Sequence, residues 1–229
     1  MKNMEFSQLG LVGHWKFNEG TGSVAKDSSP EGNDGTIHGA SWTNDEQRRM
    51  CLYFDGSDDY VNCGNNDSLN IPKNFSWSAW FYVRDITGDH IQCIISKVYI
   101  SNALYNYLGI LDSDRTLHFR LWNNSFIEIG NARTSINPGQ WYHAVGVYDS
   151  DAVKLYVNGE LKHSNTNSGF GDDIGGLTSP VHIGSLEHYD RFYFNGVIDE
   201  VRIYNRALSA EEILAHYSRK KYLLPRKCL

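Results

Sequence analysis

Asp199 and Glu200 stand side by side in GVIDEVRIY, residues 196–204, a stretch that is otherwise mostly apolar and β-branched. Paired carboxylates in such a run could serve acid–base catalysis, bind a metal, or form ion pairs that hold the fold. In a regular strand alternate side chains share a face. Val197, Asp199, Val201 and Ile203 are then expected to point one way, and Ile198, Glu200, Arg202 and Tyr204 the other. Glu200 and Arg202 become neighbours, and an ion pair is the expectation. Asp199 falls between valines on the side that looks core-facing. A buried ionised carboxylate is costly without hydrogen bonds or a metal to compensate it, so Asp199 needs a partner. Residues 14–42, HWKFNEGTGSVAKDSSPEGNDGTIHGASW, offer one. Their Asp27, Ser28, Asn33, Asp34 and Thr36 lie among glycines. Such a loop can turn carboxylate, amide and carbonyl oxygens inward, the hard ligands that calcium takes roughly six to eight at a time. The same residues also simply make turns. In that case Asp27 and Asp199 accept backbone N–H groups and hold no ion.

A second constellation lies in TLHFRLW, residues 116–122, where His118, Arg120 and Trp122 share a strand face. An aromatic platform beside fixed polar groups is what a sugar site needs, and this stripe would suit a neutral or acidic glycan. Tyrosines also crowd VYISNALYNY, residues 98–107, and LEHYDRFYF, residues 186–194, segments that read as binding loops. The candidate ligand contacts are Trp122, Arg120, Tyr107 and Tyr189. Trp77, Trp80 and Trp141 are expected in the core, and packing is the competing role for Trp122 and Tyr107 as well.

The elements that must position these groups are strands. FSWSAWFYV, residues 75–83, alternates Phe75, Trp77, Ala79, Phe81 and Val83 against Ser76, Ser78, Trp80 and Tyr82. WYHAVGVY, residues 141–148, puts Trp141, His143, Val145 and Val147 on one face. VKLYVNGELKH, residues 153–163, reads as a hairpin with Asn158-Gly159 at its turn. PVHIGS and GVIDEVRIY read as strands too. Turn clusters such as SSPEGNDG, DGSDD, NPGQ and FGDDIGG separate them, which indicates an all-β sandwich. One helix is predicted, from a capping box of Ser209 and Glu212 to about residue 219. The basic stretch 220–229 reads as a tail or linker.

The chain has 229 residues, 41% apolar and 13% aromatic, enough for one large β domain with a real core. Its net charge of -6 and the fact that no basic run dominates argue against a nucleic-acid partner. No apolar run approaches a membrane span. The start, MKNMEFSQLGLVGHWKF, lacks the apolar stretch of a secretory signal, so either the protein stays in the cell or, the favoured reading, this is a domain of a longer chain. The four cysteines form no CxxC pair, so zinc is not expected. If LYF and YVN flank a hairpin, Cys51 and Cys63 oppose each other and could be bridged; the alternative is buried or free thiols.

Taken in order, HWKFNEGTGSVAKDSSPEGNDGTIHGASW, LYFDGSDDYVNCG, FSWSAWFYV, GQWYHAVGVYDSDAVKLYVNGEL and FNGVIDEVRIYNRALSAEEI resemble the laminin G-like branch of the concanavalin A-like superfamily. The resemblance covers residues 11–217 or so. It implies a two-sheet antiparallel jelly roll over residues 1–219, with one short C-terminal helix and with first and last strands side by side. It also implies a structural calcium joining the Asp27 loop to Asp199, with Asn33 and Asp34 or nearby carbonyls completing the shell. Pro30-Glu31 depart from the usual loop. The superfamily includes glycoside hydrolases and lyases, so fold does not decide function. Retaining hydrolysis needs two carboxyls about 5–5.5 Å apart on one face. Adjacent Asp199 and Glu200 are expected on opposite faces, Glu128 lacks an acidic neighbour, and His118, Arg120, Tyr142 and His143 sit outside any lyase motif. The expectation is a non-catalytic, lectin-like domain of an extracellular or surface protein that binds an oligosaccharide or polysaccharide. A protein-interaction or viral structural domain is the alternative, and a glycan-active enzyme the minority one.

Overall fold

The computed structural model describes residues 8–87, 90–99, 104–122, 128–149, 151–166, 179–186 and 192–221. Its strands are β1 Leu11–Trp15, β2 Val24–Ala25, β3 Gly35–His38, β4 Ser41–Asp45, β5 Arg49–Asp55, β6 Tyr60–Asn62, β7 Phe75–Val83 and β8 Ile91–Tyr99. They continue as β9 Leu104–Leu111, β10 Thr116–Trp122, β11 Glu128–Ser135, β12 Trp141–Tyr148, β13 Ala152–Val157, β14 Glu160–Thr166, β15 Val181–Ile183 and β16 Asn195–Tyr204. One helix follows, α1 Ala210–Lys221. The strands form two antiparallel sheets. The first runs β14-β13-β12-β7-β16-β5-β4, with β1 also paired to β16; the second runs β11-β10-β9-β8-β15-β6-β3-β2. This is the jelly-roll sandwich, and its first strand lies beside its last, as expected.

The period-2 patterns place the core between the sheets. Phe75, Trp77, Ala79, Phe81 and Val83 of β7 meet Leu117, Phe119 and Leu121 of β10 and Leu108 and Ile110 of β9 in one cluster. The Asn158-Gly159 turn has φ of 54° and 82°, the left-handed pair that a two-residue hairpin requires. α1 begins with the reciprocal capping box: the Ser209 N–H donates to Glu212 and the Glu212 N–H to Ser209 Oγ. The helix covers part of the outer face of the first sheet, packing Ile213 against Leu11, Val145, Val147, Tyr156, Tyr204 and Leu208. The helix ends two residues later than predicted, and the tail expected from 220 lies, beyond Lys221, outside the described residues.

Two expectations are corrected. LYF belongs to β5 in the first sheet and YVN to β6 in the second, so they are not a hairpin. Cys51 and Cys63 are separate free, buried thiols, and burial pushes the Cys51 thiol up to about 12. The larger correction concerns β16. It pairs with β7 at Asp199↔Trp80 and again at Arg202↔Ser78, so Glu200 and Val201 together face Ala79 alone. This is a β-bulge, with Glu200 in the left-handed region at φ 53°. The extra residue resets the alternation. Ile198, Val201 and Ile203 all enter the core, whereas Asp199 turns to the outer face beside Trp80. The expected alternation therefore holds from Val197 to Asp199 and fails at Glu200–Val201, which separates Asp199 from the core-facing Val201 and Ile203.

Candidate functional site

On the outer face of the first sheet, Asp199 is buried against Arg48, at 2.9 Å from its Nε and 2.7 Å from its Nη2. The Arg48 guanidinium lies 4.1 Å from the Trp80 ring centre and 5.5 Å from that of Trp141. Trp141 Nε1 donates to Asp45 Oδ1 on the β4–β5 hairpin that carries Arg48. Trp80 is thus buried outside the core, sandwiched toward Arg48 and the Tyr217 ring of α1. Beside it His143 is fully buried, with Nε2 at 3.0 Å from Ser78 Oγ. Burial and the Arg202 charge hold His143 well below the usual imidazole range. The Glu200–Arg202 pair forms as expected. Glu200 also meets His14 Nε2 at 2.9 Å. Burial and Arg202 lower His14 to about 4, against the pull of Glu200. The sequence offered no signal for Arg48, His14 or Ser78, because their roles arise only when distant strands pair.

The four expected calcium ligands are not gathered around one point. The loop does join Asp27, Asn33 and Asp34. Asp27 Oδ1 accepts from the N–H groups of His14 and Ser29, and Oδ2 from the Ser29 hydroxyl and the Asn33 N–H. Asp34 takes Lys26 Nζ and the Asp27 N–H. The Asn33 side chain bridges Val12, Ser68 and Asn66, and the Asn33 backbone carbonyl accepts from Trp15 Nε1. Asp199 is elsewhere, on Arg48. This donor set is filled by N–H and O–H groups and does not fit a shared calcium. Another carboxylate group, Asp55, Asp58 and Asp59, lies within 4.8 Å at the β5–β6 turn. It shapes that turn: Asp55 Oδ1 accepts from Ser57 N–H, and Asp59 Oδ2 from Asp55 N–H.

The second sheet presents its outer face differently. Arg120 and Trp122 project from β10, where the guanidinium sits 4.9 Å from the Trp122 ring centre. Arg120 Nε is 2.7 Å from Glu128 Oε2 on β11. These two side chains remain 28% and 33% exposed. A register shift between Leu121 and Trp122 sets Trp122 opposite Glu128, and the Trp122 N–H is held by Asn106 Oδ1 at 2.6 Å. His118, next on this face, is buried, with Nδ1 at 2.7 Å from Asn131 Oδ1. Tyr107 neighbours Arg120 across β9, but it is only 1% exposed. It packs with Ile91, Cys93, Val98 and Leu186, so it supports the site from below instead of offering a surface platform. Tyr189 lies outside the described residues. Of the four expected contacts, Arg120 and Trp122 come together at the surface.

Several known proteins share this architecture. Domain 4 of AbnA, a GH43 extracellular arabinanase from Geobacillus stearothermophilus solved in complex with arabinotriose, superposes with a TM-score of 0.68 at 23% identity, covering 91% of this chain and 98% of that one. The binding domain of Paraclostridial Mosquitocidal Protein 1 superposes with a TM-score of 0.73 at 17% identity, covering 92% and 52%. Human pappalysin-1 is 26% identical over 188 residues, 72% of this chain and 11% of that protein. The chain spans about a tenth of the curated human relatives it matches. Among the described residues no helix is long and apolar enough to cross a membrane. Residues 55–214 match the family described as the concanavalin A-like lectin/glucanases superfamily, in its laminin G form, and the chain belongs to that family.

Proposed function

We propose that this domain is a non-catalytic carbohydrate-binding module of a larger extracellular or surface protein. It takes an oligosaccharide or polysaccharide on the outer face of the second sheet, at Trp122 and Arg120. The observation that carries this reading is the partly exposed Trp122–Arg120–Glu128 group, an aromatic surface beside donors and acceptors already held in place. Such a pairing lets a sugar ring stack while its hydroxyls find fixed partners. The arabinotriose held by the similar domain of AbnA supports it, as does the likeness to the binding domain of the mosquitocidal toxin. The non-catalytic part rests on the carboxylates. Asp199 and Glu200 now share the outer face, contrary to expectation, yet both are buried in ion pairs, and Glu128 is engaged by Arg120. None of these offers the free pair that glycosidic hydrolysis needs.

The test is a glycan panel read by calorimetry with the parent chain and with Trp122→Ala. The variant should bind at least about tenfold more weakly, a loss of roughly 1.4 kcal/mol, while its circular dichroism stays that of the parent. Undiminished binding by Trp122→Ala would move the site elsewhere. A parent chain that binds nothing on the panel would favour a protein partner.

A further inference from the structure

We propose a second ligand site, in the cleft where the β13–β14 turn, the end of β11 and α1 meet, for a small neutral ligand rich in hydroxyls, the size of one or two sugar rings. The cleft has a volume of about 550 Å³. Thr134 and Ser135 line it from β11, Asn158, Glu160 and Lys162 from the β13–β14 hairpin, and Tyr217 from α1. Buried Tyr142 and Val157 complete its floor.

Three features of this lining select the ligand. Among the described residues that line it, the charged ones are Glu160 and Lys162, whose Oε2 and Nζ lie 2.6 Å apart and offset each other, so this lining favours neither an anion nor a cation. Its remaining polar groups are hydroxyls and an amide, donors and acceptors suited to hydroxyls. The Asn158 oxygen is committed to the His143 N–H at 3.0 Å, which leaves the amide nitrogen to donate. Its walls are set by rigid parts. The hairpin turn is fixed by its left-handed pair, and a side chain at Gly159 would meet Leu214 of α1 at 2.9 Å, so turn and helix are in close apposition. Tyr217 is anchored by stacking with Trp80 at 5.7 Å. β11 is tied to the hairpin through His163, whose Nδ1 accepts from Arg133 N–H.

The site is independent of the Trp122 site. Glu128 and Ser135 are opposite ends of β11, so the two lie on the order of 20 Å apart at about 3.3 Å per strand residue. A nitrogen-15 amide titration with maltose, cellobiose, lactose and xylobiose separates them. The expected result is saturable shifts at Ser135, Asn158 and Gly159 with at least one disaccharide. These shifts persist in Trp122→Ala and vanish in Ser135→Trp, which fills the cleft from an exposed strand position. Thr134→Val should weaken the same shifts without filling it. Amides here that no disaccharide moves, or shifts that Ser135→Trp leaves intact, would overturn the proposal. Shifts with glucuronate alone would overturn its neutral ligand class. Loss of binding in Trp122→Ala with the cleft shifts retained concerns the other site only.

Discussion

The chain uses the same three groups twice. Arg48, Asp199 and Trp80 meet on one sheet, and Arg120, Glu128 and Trp122 on the other. The ion-pair side chains are 5% and 2% exposed in the first group but 28% and 33% in the second. Burial alone separates their roles. Under α1 and the β4–β5 hairpin, water cannot screen the charges and neither ion can be left alone. On the open sheet the ions remain hydrated, so the pair contributes little to folding and can still exchange a water for a ligand hydroxyl. The first group holds the sandwich, and the second is the surface proposed to bind.

Cutting one carboxylate from each group is the strongest way to break this comparison. Asp199→Ala leaves the Arg48 guanidinium buried without its partner, which should cost about 3–5 kcal/mol. Glu128→Ala should cost no more than about 1 kcal/mol. Urea unfolding of both variants gives the two values side by side. Equal losses, or an Asp199→Ala protein as stable as the parent, would end the distinction drawn here.

A smaller effect comes from pH, and its largest part belongs to the buried face. His14 takes its proton at about 4 in the folded chain and near its ordinary 6.5 when unfolded. Between those values the unfolded chain binds more protons, so stability is full above the window and is lost as pH falls through it. At about pH 5 the loss is on the order of 2 kcal/mol. His143, also lowered by burial and by Arg202, acts in the same direction. Asp112 opposes them: burial raises its carboxyl to about 6, so its contribution is present at low pH and is lost as pH rises toward that value. His14→Gln should flatten the dependence of the urea midpoint between about pH 7 and pH 5. An unchanged slope would show that His14 is not held neutral by its surroundings.

How far these regions were legible follows from how local their causes are. β7 and β12 were readable because their alternation is carried by residues two apart. The Asn158-Gly159 turn and the Ser209–Glu212 cap were readable because each is closed by side chains or backbone within three residues. The β7 alternation itself placed Trp80 with Ser76 and Ser78 and away from Trp77, although its size suggested the core. The face of Asp199 was not readable. It depends on a bulge at Glu200, whose carboxylate meets His14 from 186 residues away. Arg48, in NDEQRRM, reads as an ordinary turn cation until the β4–β5 hairpin lays it on Trp80. The proximity of Arg120 and Trp122 was readable because they share one strand face. The burial of Tyr107 depends on Leu186 packing over it from a distant segment.

The smallest expected effect is no effect at all, and it concerns calcium. The Asp27 carboxylate already accepts four donors, and Asp199 is spent on Arg48. An ion joining them would have to displace those contacts and desolvate again. A site with a Kd of about 10 µM would gain roughly 3.7 kcal/mol in about 5 mM calcium. For a domain of this size that is a rise in Tm of roughly 10 °C. The expected Tm is the same in calcium and in EGTA, for the parent and for Asp27→Asn alike. A rise of several degrees with calcium, abolished by Asp27→Asn, would mean that the Asp27 loop opens its donors to the ion. The buried face would then depend on a metal at its N-terminal margin, with the Arg48–Asp199 pair still closing its centre.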